Sequence, residues 1–329
     1  MKILVTGGAG FIGSHLCERL LARGDDVMCV DNLNDFYDPA MKRRNLDDVR
    51  DKARALGASF AVEQLDICEG EALSELIARF APDAVAHLAA YAGVRPSIQN
   101  PALYTRVNVM GTVNVLEAMK AAHVKRLVFA SSSSVYGNNE KVPFCEIDPV
   151  DHPISPYAAT KKAGELICHT YHALEGFSVA CLRFFTVYGA RQRPDLAIRK
   201  FAGMIERGEE LPFYGDGSAS RDYTYIDDIM DGVIKALDWT EGVAKYEVFN
   251  LGESATISLS AMVETLEAAM GKKAQLRRLP MQPGDVLRTN ADIGKARRML
   301  GYAPATPFDE GIGKFIAWYN TVKHEGAKL

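Results

Sequence analysis

The stretch from Met1 to Ser14, MKILVTGGAGFIGS, constrains the fold more than any other part of the chain. Residues 1–6 are an apolar run of strand-forming residues, and an amphipathic pattern runs from Phe11 to about Arg23, with Gly7, Gly10 and Gly13 at the junction. A strand that ends in a glycine turn and feeds directly into a helix is the opening unit of a dinucleotide-binding sheet. Gly7 permits the tight turn, Gly10 lets the backbone approach a pyrophosphate, and Gly13 lets helix and strand pack closely. Phe11 and Ile12 begin the helix whose amino end would face the phosphates.

The alternation continues. A second strand over 26–30 ends at Asp31, eighteen residues after Gly13, followed by Asn32. A carboxylate there bonds both adenosine ribose hydroxyls and repels a 2′-phosphate, which favours NAD over NADP. Lys42, Arg43 and Arg44 are expected at the exposed start of the next helix. A third strand over 59–63 leads to Asp66 and Ile67, a polar and apolar pair suited to an adenine edge and face. A fourth over 84–88 runs through Leu88 into Ala89 and Ala90, small enough for a cofactor to lie against the backbone. One helix is expected over 101–122, carrying Asn108 and Gly111, then a fifth strand over 126–130 and the run Ser131-Ser132-Ser133-Ser134. With a sixth strand over 178–184 the pattern is α/β, a doubly wound parallel (Rossmann) sheet. Residues 1–182 read as the NAD-binding domain and 183–329 as a smaller C-terminal α/β substrate domain, though elements between 222 and 251 are able to return to the first.

Ser155-Pro156-Tyr157-Ala158-Ala159-Thr160-Lys161 sets a phenol and an ammonium one helical turn apart, behind a serine cap and a first-turn proline. Taken alone, Tyr-x-x-x-Lys is more often a solvated helix surface. Lowering a phenol from about 10 to about 7 needs on the order of 4 kcal/mol, which a lysine, a helix amino end and a bound pyridinium together supply. Tyr157 as base, Lys161 as its charge partner and nicotinamide-ribose contact, and a serine hydroxyl on the same substrate oxygen are the parts for oxidising a secondary alcohol.

Composition removes other classes. A net charge of −4 gives no basic field for nucleic acid and no polybasic membrane patch. The six cysteines are scattered without C-x-x-C or zinc-ligand spacing, and His169 and His172 lack an acidic partner, so no metal is expected. The chain opens on a strand rather than a signal peptide, and a reducing cytoplasmic setting is expected.

The Gly-x-x-Gly-x-x-Gly spacing and several longer segments resemble extended short-chain dehydrogenase/reductases of the nucleotide-sugar epimerase group, most nearly the UDP-glucuronate 4-epimerases. These segments are Asp31 to Pro39, Ala92-Gly93-Val94-Arg95, the serine run to Gly137, Pro149 to Tyr157, and Arg183 to Gly189 with Arg193-Pro194-Asp195. The resemblance implies that Ser132 bonds the sugar O4 and that Ser133 and Ser134 replace the acidic residues by which related dehydratases and decarboxylating enzymes act. It implies oxidation at C4, rotation of the 4-keto sugar, and return of the same hydride to the opposite face. It further implies a sugar pocket at Arg95, Thr186 and Arg193, with Thr186 and Arg193 toward a C6 carboxylate. Arg221 and Arg288 would meet the diphosphate, Asp285 the ribose and Tyr214 the uracil. A homodimer is implied, through helices around 103–121 and 155–174. Ala190-Arg191-Gln192 departs from the Pro-Trp-Gly usual in the uronate enzymes, as does Pro96 from their Tyr, and UDP-glucose 4-epimerase stays open as the alternative. Dehydration, decarboxylation and a non-catalytic NAD sensor are further alternatives.

Overall fold

The computed structural model describes residues 1–280 and 288–323. Its first half runs β1 (Lys2–Thr6), α1 (Phe11–Arg23), β2 (Asp26–Val30), α2 (Pro39–Leu56), β3 (Phe60–Glu63), α3 (Gly70–Phe80), β4 (Ala84–His87), α4 (Val94–Gln99), α5 (Pro101–Tyr104), α6 (Gly111–Ala121), β5 (Arg126–Ser132), α7 (Pro156–Glu175) and β6 (Ser178–Phe184). There follow β7 (Thr186–Tyr188), α8 (Ala197–Arg207), β8 (Glu210–Tyr214), β9 (Ser220–Arg221), β10 (Tyr223–Tyr225), α9 (Ile226–Trp239) and β11 (Tyr246–Leu251). The remaining elements are β12 (Ile257–Ser258), α10 (Leu259–Met270), β13 (Gln275–Leu279), α11 (Gly294–Leu300) and α12 (Phe308–Val322).

Seven of these strands form one parallel sheet, in the order β11-β6-β5-β4-β1-β2-β3. Side chains alternate across it, so Ile3 and Val5 of β1 face one hydrophobic cluster and Leu4 the other, all without solvent exposure. Both faces are therefore covered, as a parallel sheet requires. The chain travels outward from β1 to β3 and then crosses back to β4, which opens a crevice beyond the carboxyl ends of β1 and β4. The sequence left the place of 222–251 open, and β11 pairs with β6 from Tyr246↔Val179 to Leu251↔Phe184, as the edge of the main sheet. Smaller two-stranded pairs, β10 with β7, β12 with β9 and β13 with β8, make up the other lobe. Among the described residues no helix is long and apolar enough to cross a membrane.

The single helix expected over 101–122 is instead three segments. Between α5 and α6 the residues Thr105–Met110 form a π-helical stretch. The wider turn has an identifiable cause: it directs Asn108 inward, where its side chain accepts from the Tyr91 N–H at 2.8 Å and donates to the Tyr91 carbonyl and to Thr160 Oγ1, each at 3.0 Å. The Thr112 hydroxyl donates to the Asn108 carbonyl at 2.7 Å, which meets a backbone acceptor at the break.

Candidate active site

A cleft of about 380 Å³ follows the crevice from the glycine turn to the tip of β6, within the range of small-molecule sites. At its nucleotide end Gly7 has φ +72 and donates to the Val30 carbonyl at 2.7 Å. A Cβ on Gly13 would stand 2.1 Å from the Gly7 carbonyl oxygen, whereas one on Gly10 would meet only that oxygen at 3.2 Å. Gly13 is thus required for packing, and Gly10 leaves its face of the turn open. No side chain caps α1, so its first N–H groups remain for an anion. Asp31 accepts from the Ala9 N–H at 3.1 Å and the Leu33 N–H at 2.9 Å, which fixes its carboxylate at the end of β2. Burial holds its pKa above the usual carboxylate range, against the charge of Lys42 and those two N–H groups.

Lys42 is a correction to the sequence reading. It is 5% exposed rather than solvated, lines the cleft, and donates to the Asn34 carbonyl at 2.9 Å and to Asn34 Oδ1 at 2.8 Å. Pro39 had already placed Lys42 in the first turn of α2, where a cation opposes the helix dipole. That conflict was the available signal that a nearby carboxylate takes the charge. Asn34, Phe36 and Tyr37, read from the sequence only as part of the family-like segment from Asp31 to Pro39, also line the cleft, as does Tyr91, which was not singled out. Asn32 donates to Asp66 at 2.9 Å, and the Cys68 N–H donates to the same carboxylate at 2.8 Å. Phe11, Ile12, Asn32, Asp66, Ile67, Leu88, Ala89 and Ala90 all line the cleft as expected, but the buried Asn108 does not; it braces the Tyr91 loop against α7.

At the centre α7 starts as its sequence dictates, with Ser155 Oγ accepting from the Ala158 N–H at 3.1 Å and Pro156 in the first turn. Tyr157 and Lys161 enter the cleft together with Ser132, Ser133 and Ser134. The strand β5 runs two residues beyond its expected end, so Ser132 is its last residue, and its Oγ caps the turn after it by accepting from the Ser134 N–H at 3.1 Å. Ser131 donates instead to Glu165 at 2.6 Å, and Glu165 receives a two-point ion pair from Arg183, both bonds at 2.8 Å. This buried network anchors the back of α7.

The protonation of the pair differs from the simple expectation. Burial raises the Tyr157 pKa, while a hydrogen bond with Ser132 and the charge of Arg193 pull it downward. Lys161 is 5% exposed and donates to the Ala130 carbonyl at 2.7 Å. Burial pushes it down to about 8. The lysine sits beside the phenol but gives a hydrogen bond to the backbone, so Arg193 is the cation whose charge acts on Tyr157.

Arg193 is held by Asp195 through Nε at 2.9 Å and Nη2 at 2.7 Å, with its guanidinium 5.3 Å from the Phe36 ring centre. Among the described residues that fork leaves Nη1 without a hydrogen bond, and Thr186 lines the same cleft as Arg193. Arg95, exposed on α4, does not line it, and neither do Tyr214, Arg221 or Arg288. Arg221 and Arg288 are nevertheless neighbours, since Ser220 bridges to Arg288. Asp285 lies outside the described residues.

A family model described as GDP-mannose 4,6 dehydratase matches residues 4–315. The chain belongs to this family, within the extended short-chain dehydrogenase/reductases. A UDP-glucuronate 4-epimerase of Thermodesulfobacterium geofontis is 43% identical over 316 residues, covering 96% of this chain and 95% of the relative. A crystal structure of UDP-glucuronic acid 4-epimerase from Bacillus cereus, in complex with UDP-glucuronic acid and NAD, superposes with a TM-score of 0.88 at 36% identity, covering 98% of this chain and all of that one. A UDP-glucose 4-epimerase of Thermotoga maritima with UDP-glucose gives a TM-score of 0.87 at 31% identity, with 98% and 100% covered. The family match and these superpositions span the described sheet and the cleft that Tyr157, Lys161 and Ser132 enter.

Proposed function

We propose that this chain is an NAD-dependent 4-epimerase of a UDP-sugar that interconverts UDP-glucuronate and UDP-galacturonate. The observation that carries the reading is the convergence of Tyr157, Lys161 and Ser132 with Thr186 and Arg193 on one cleft that begins at the glycine turn. The residues present suit a dinucleotide: the open face at Gly10, the uncapped α1 and the Asp31 carboxylate match a pyrophosphate and a ribose diol. When bound, NAD supplies reversible hydride acceptance at C4 of the sugar.

The chain's own residues handle the proton and the pose. Ser132 and Tyr157 meet the sugar O4, and Tyr157 takes the O4 proton as the alcohol becomes a ketone and returns it on reduction from the other face. Lys161 holds the nicotinamide ribose, and Arg193 supplies the positive charge that acts on the phenol. Ser133 and Ser134 carry no carboxylate, so no residue there is equipped to eliminate water, despite the name under which the family is known. Thr186 and the Nη1 edge of Arg193 hold the C6 carboxylate, and a fixed carboxylate is kept from leaving as carbon dioxide at the 4-keto stage. Arg221, Arg288 and Asp285 serve the UDP end, with Tyr214 against uracil. Residues 1–182, with α9 and β11 from the 222–251 segment, act as the cofactor domain.

The assembly we propose is a homodimer. Met110 and Leu166, 53% and 57% exposed, lie on the two helical regions expected to pair, which supports that reading. The six free cysteines suit a reducing, cytoplasmic compartment.

Purified protein given UDP-glucuronate and, separately, UDP-glucose tests the substrate. Equilibration of the first with its C4 epimer is expected, and turnover of UDP-glucose alone would make the chain a UDP-glucose 4-epimerase. Deuterium at C4 should stay at C4 in the product; exchange with solvent would contradict the retained-hydride route.

A further inference from the structure

The turn over 189–193 is buried or half-buried throughout and is tied down at successive residues. Arg191 stands in the left-handed region at φ +61, which a residue with a side chain disfavours. Its side chain is only 11% exposed, its Nη2 bonds Glu18 on α1 and stands 3.1 Å from Asp48 Oδ2 on α2, and its Nη1 is buried without a hydrogen-bond partner. His15, also on α1, meets the Ala190 carbonyl through Nε2 at 2.9 Å; a carbonyl only accepts, so Nε2 carries the proton. Arg199 on α8 donates to the Gln192 carbonyl. Three successive residues of the turn are therefore anchored, two of them to the helix that begins at the cofactor turn, and the next residue is Arg193.

Neither the strained backbone nor the desolvated Nη1 helps the fold, and Arg191 does not line the cleft. What the anchoring does is fix where the chain enters Arg193, whose other side is fixed by Asp195. We propose that Arg191 is a positioning residue for substrate selection: by binding the turn to Glu18 and Asp48, it holds the Nη1 edge of Arg193 where a sugar C6 carboxylate meets it. The inference rests on the uronate reading above. It also gives a purpose to Ala190-Arg191-Gln192, the segment in which the chain departs from its nearest family resemblance.

The test is a binding comparison on NAD-loaded protein carrying Tyr157→Phe, so that turnover does not disturb the titration, with and without Arg191→Gly. Glycine adopts the left-handed conformation freely, so the variant removes the side chain without straining the turn. UDP-glucuronate, UDP-glucose and UDP are titrated in turn. The preference for UDP-glucuronate over UDP-glucose is expected to fall about tenfold, with UDP affinity within twofold of its starting value, and Arg191→Lys is expected to restore part of the preference. An unchanged preference, or an equal loss for all three nucleotides, overturns the proposal. If Arg191→Gly loses NAD or melts early, Glu18→Gln reads the same ratio, with a smaller fall expected and no fall counting against us. A protein with Arg191 intact that shows no preference for UDP-glucuronate overturns the uronate reading, and this inference with it, before any substitution at 191 is made.

Discussion

Lys161 should make the cofactor-free protein less stable at neutral pH than it is in mild alkali. Its pKa is pushed down to about 8 by burial, against about 10.4 for an unfolded lysine. Each unit corresponds to about 1.4 kcal/mol, so confining the charged ammonium costs about 3 kcal/mol below pH 8. Between about pH 8 and 10.4 the unfolded chain binds the extra proton, so stability rises with pH across that window and the penalty is gone above it. Lys161→Met removes the titrating group while keeping an unbranched side chain against Phe129. The variant loses the bond to the Ala130 carbonyl, but that loss shifts its stability by a constant; the pH-dependent gap isolates the charge. At about 2.1 cal/mol/K per residue, the 329-residue chain moves its melting temperature by about 4 °C for 3 kcal/mol. Melting curves of the cofactor-free wild type and variant at pH 7, 8, 9 and 10 should therefore show the wild type gaining several degrees on the variant as pH rises. Parallel curves over the whole range would refute the claim that Lys161 is held as a desolvated cation.

Three further outcomes follow from the geometry. Gly13→Ala should abolish NAD retention and lower stability, because its Cβ would sit 2.1 Å from the Gly7 carbonyl and 2.7 Å from Gly8 Cα; absorbance of bound cofactor after desalting measures this, and full retention would contradict the packing role. Asp31→Ser should weaken NAD binding by about 1.5–3 kcal/mol, the range for hydrogen bonds to a charged group, while improving NADP binding, both read by fluorescence titration. Glu165→Leu and Arg183→Met should each cost about 3–5 kcal/mol in urea unfolding, because each leaves a buried charge alone, and the double variant should cost less than their sum; additive losses would show that the pair is not coupled.

Much of the cleft was legible because local chemistry and strand order agree. Gly7, Gly10 and Gly13 are fixed by the steric needs of one turn, and Asp31 by its place at the end of the adjoining strand. Tyr157 and Lys161 are fixed by helical spacing after a serine cap and a proline, all readable within seven residues. The mistaken or missing residues are those whose role depends on contacts across the fold. Lys42 lies in a helix start that reads as solvent-facing, and only the approach of Asn34 and Asp31 buries it. Asn108 lies in a stretch that reads as continuous helix, and its link to Tyr91 and Thr160 accompanies the π-helical turn. Tyr214, Arg221 and Arg288 are a separate case: they belong to the other lobe, outside the described cleft, where the UDP end is proposed to lie.

The sequence by itself determined the parallel α/β sheet, the glycine turn and the tyrosine and lysine one helical turn apart, because each rests on steric or spacing rules within a short span, while Ser132 was reached only through the family resemblance. Tertiary structure decided what charge those groups feel. The helix reading had Lys161, the helix amino end and a bound pyridinium together lowering the Tyr157 pKa; in the protein alone burial raises it and the opposing pull comes from Ser132 and from Arg193, thirty-six residues further along. Desolvation and long-range charge depend on what surrounds a group in three dimensions, and spacing along the chain does not encode that. The same reason makes Arg191 invisible as anything but a loop arginine until α1 and α2 bring Glu18 and Asp48 against it.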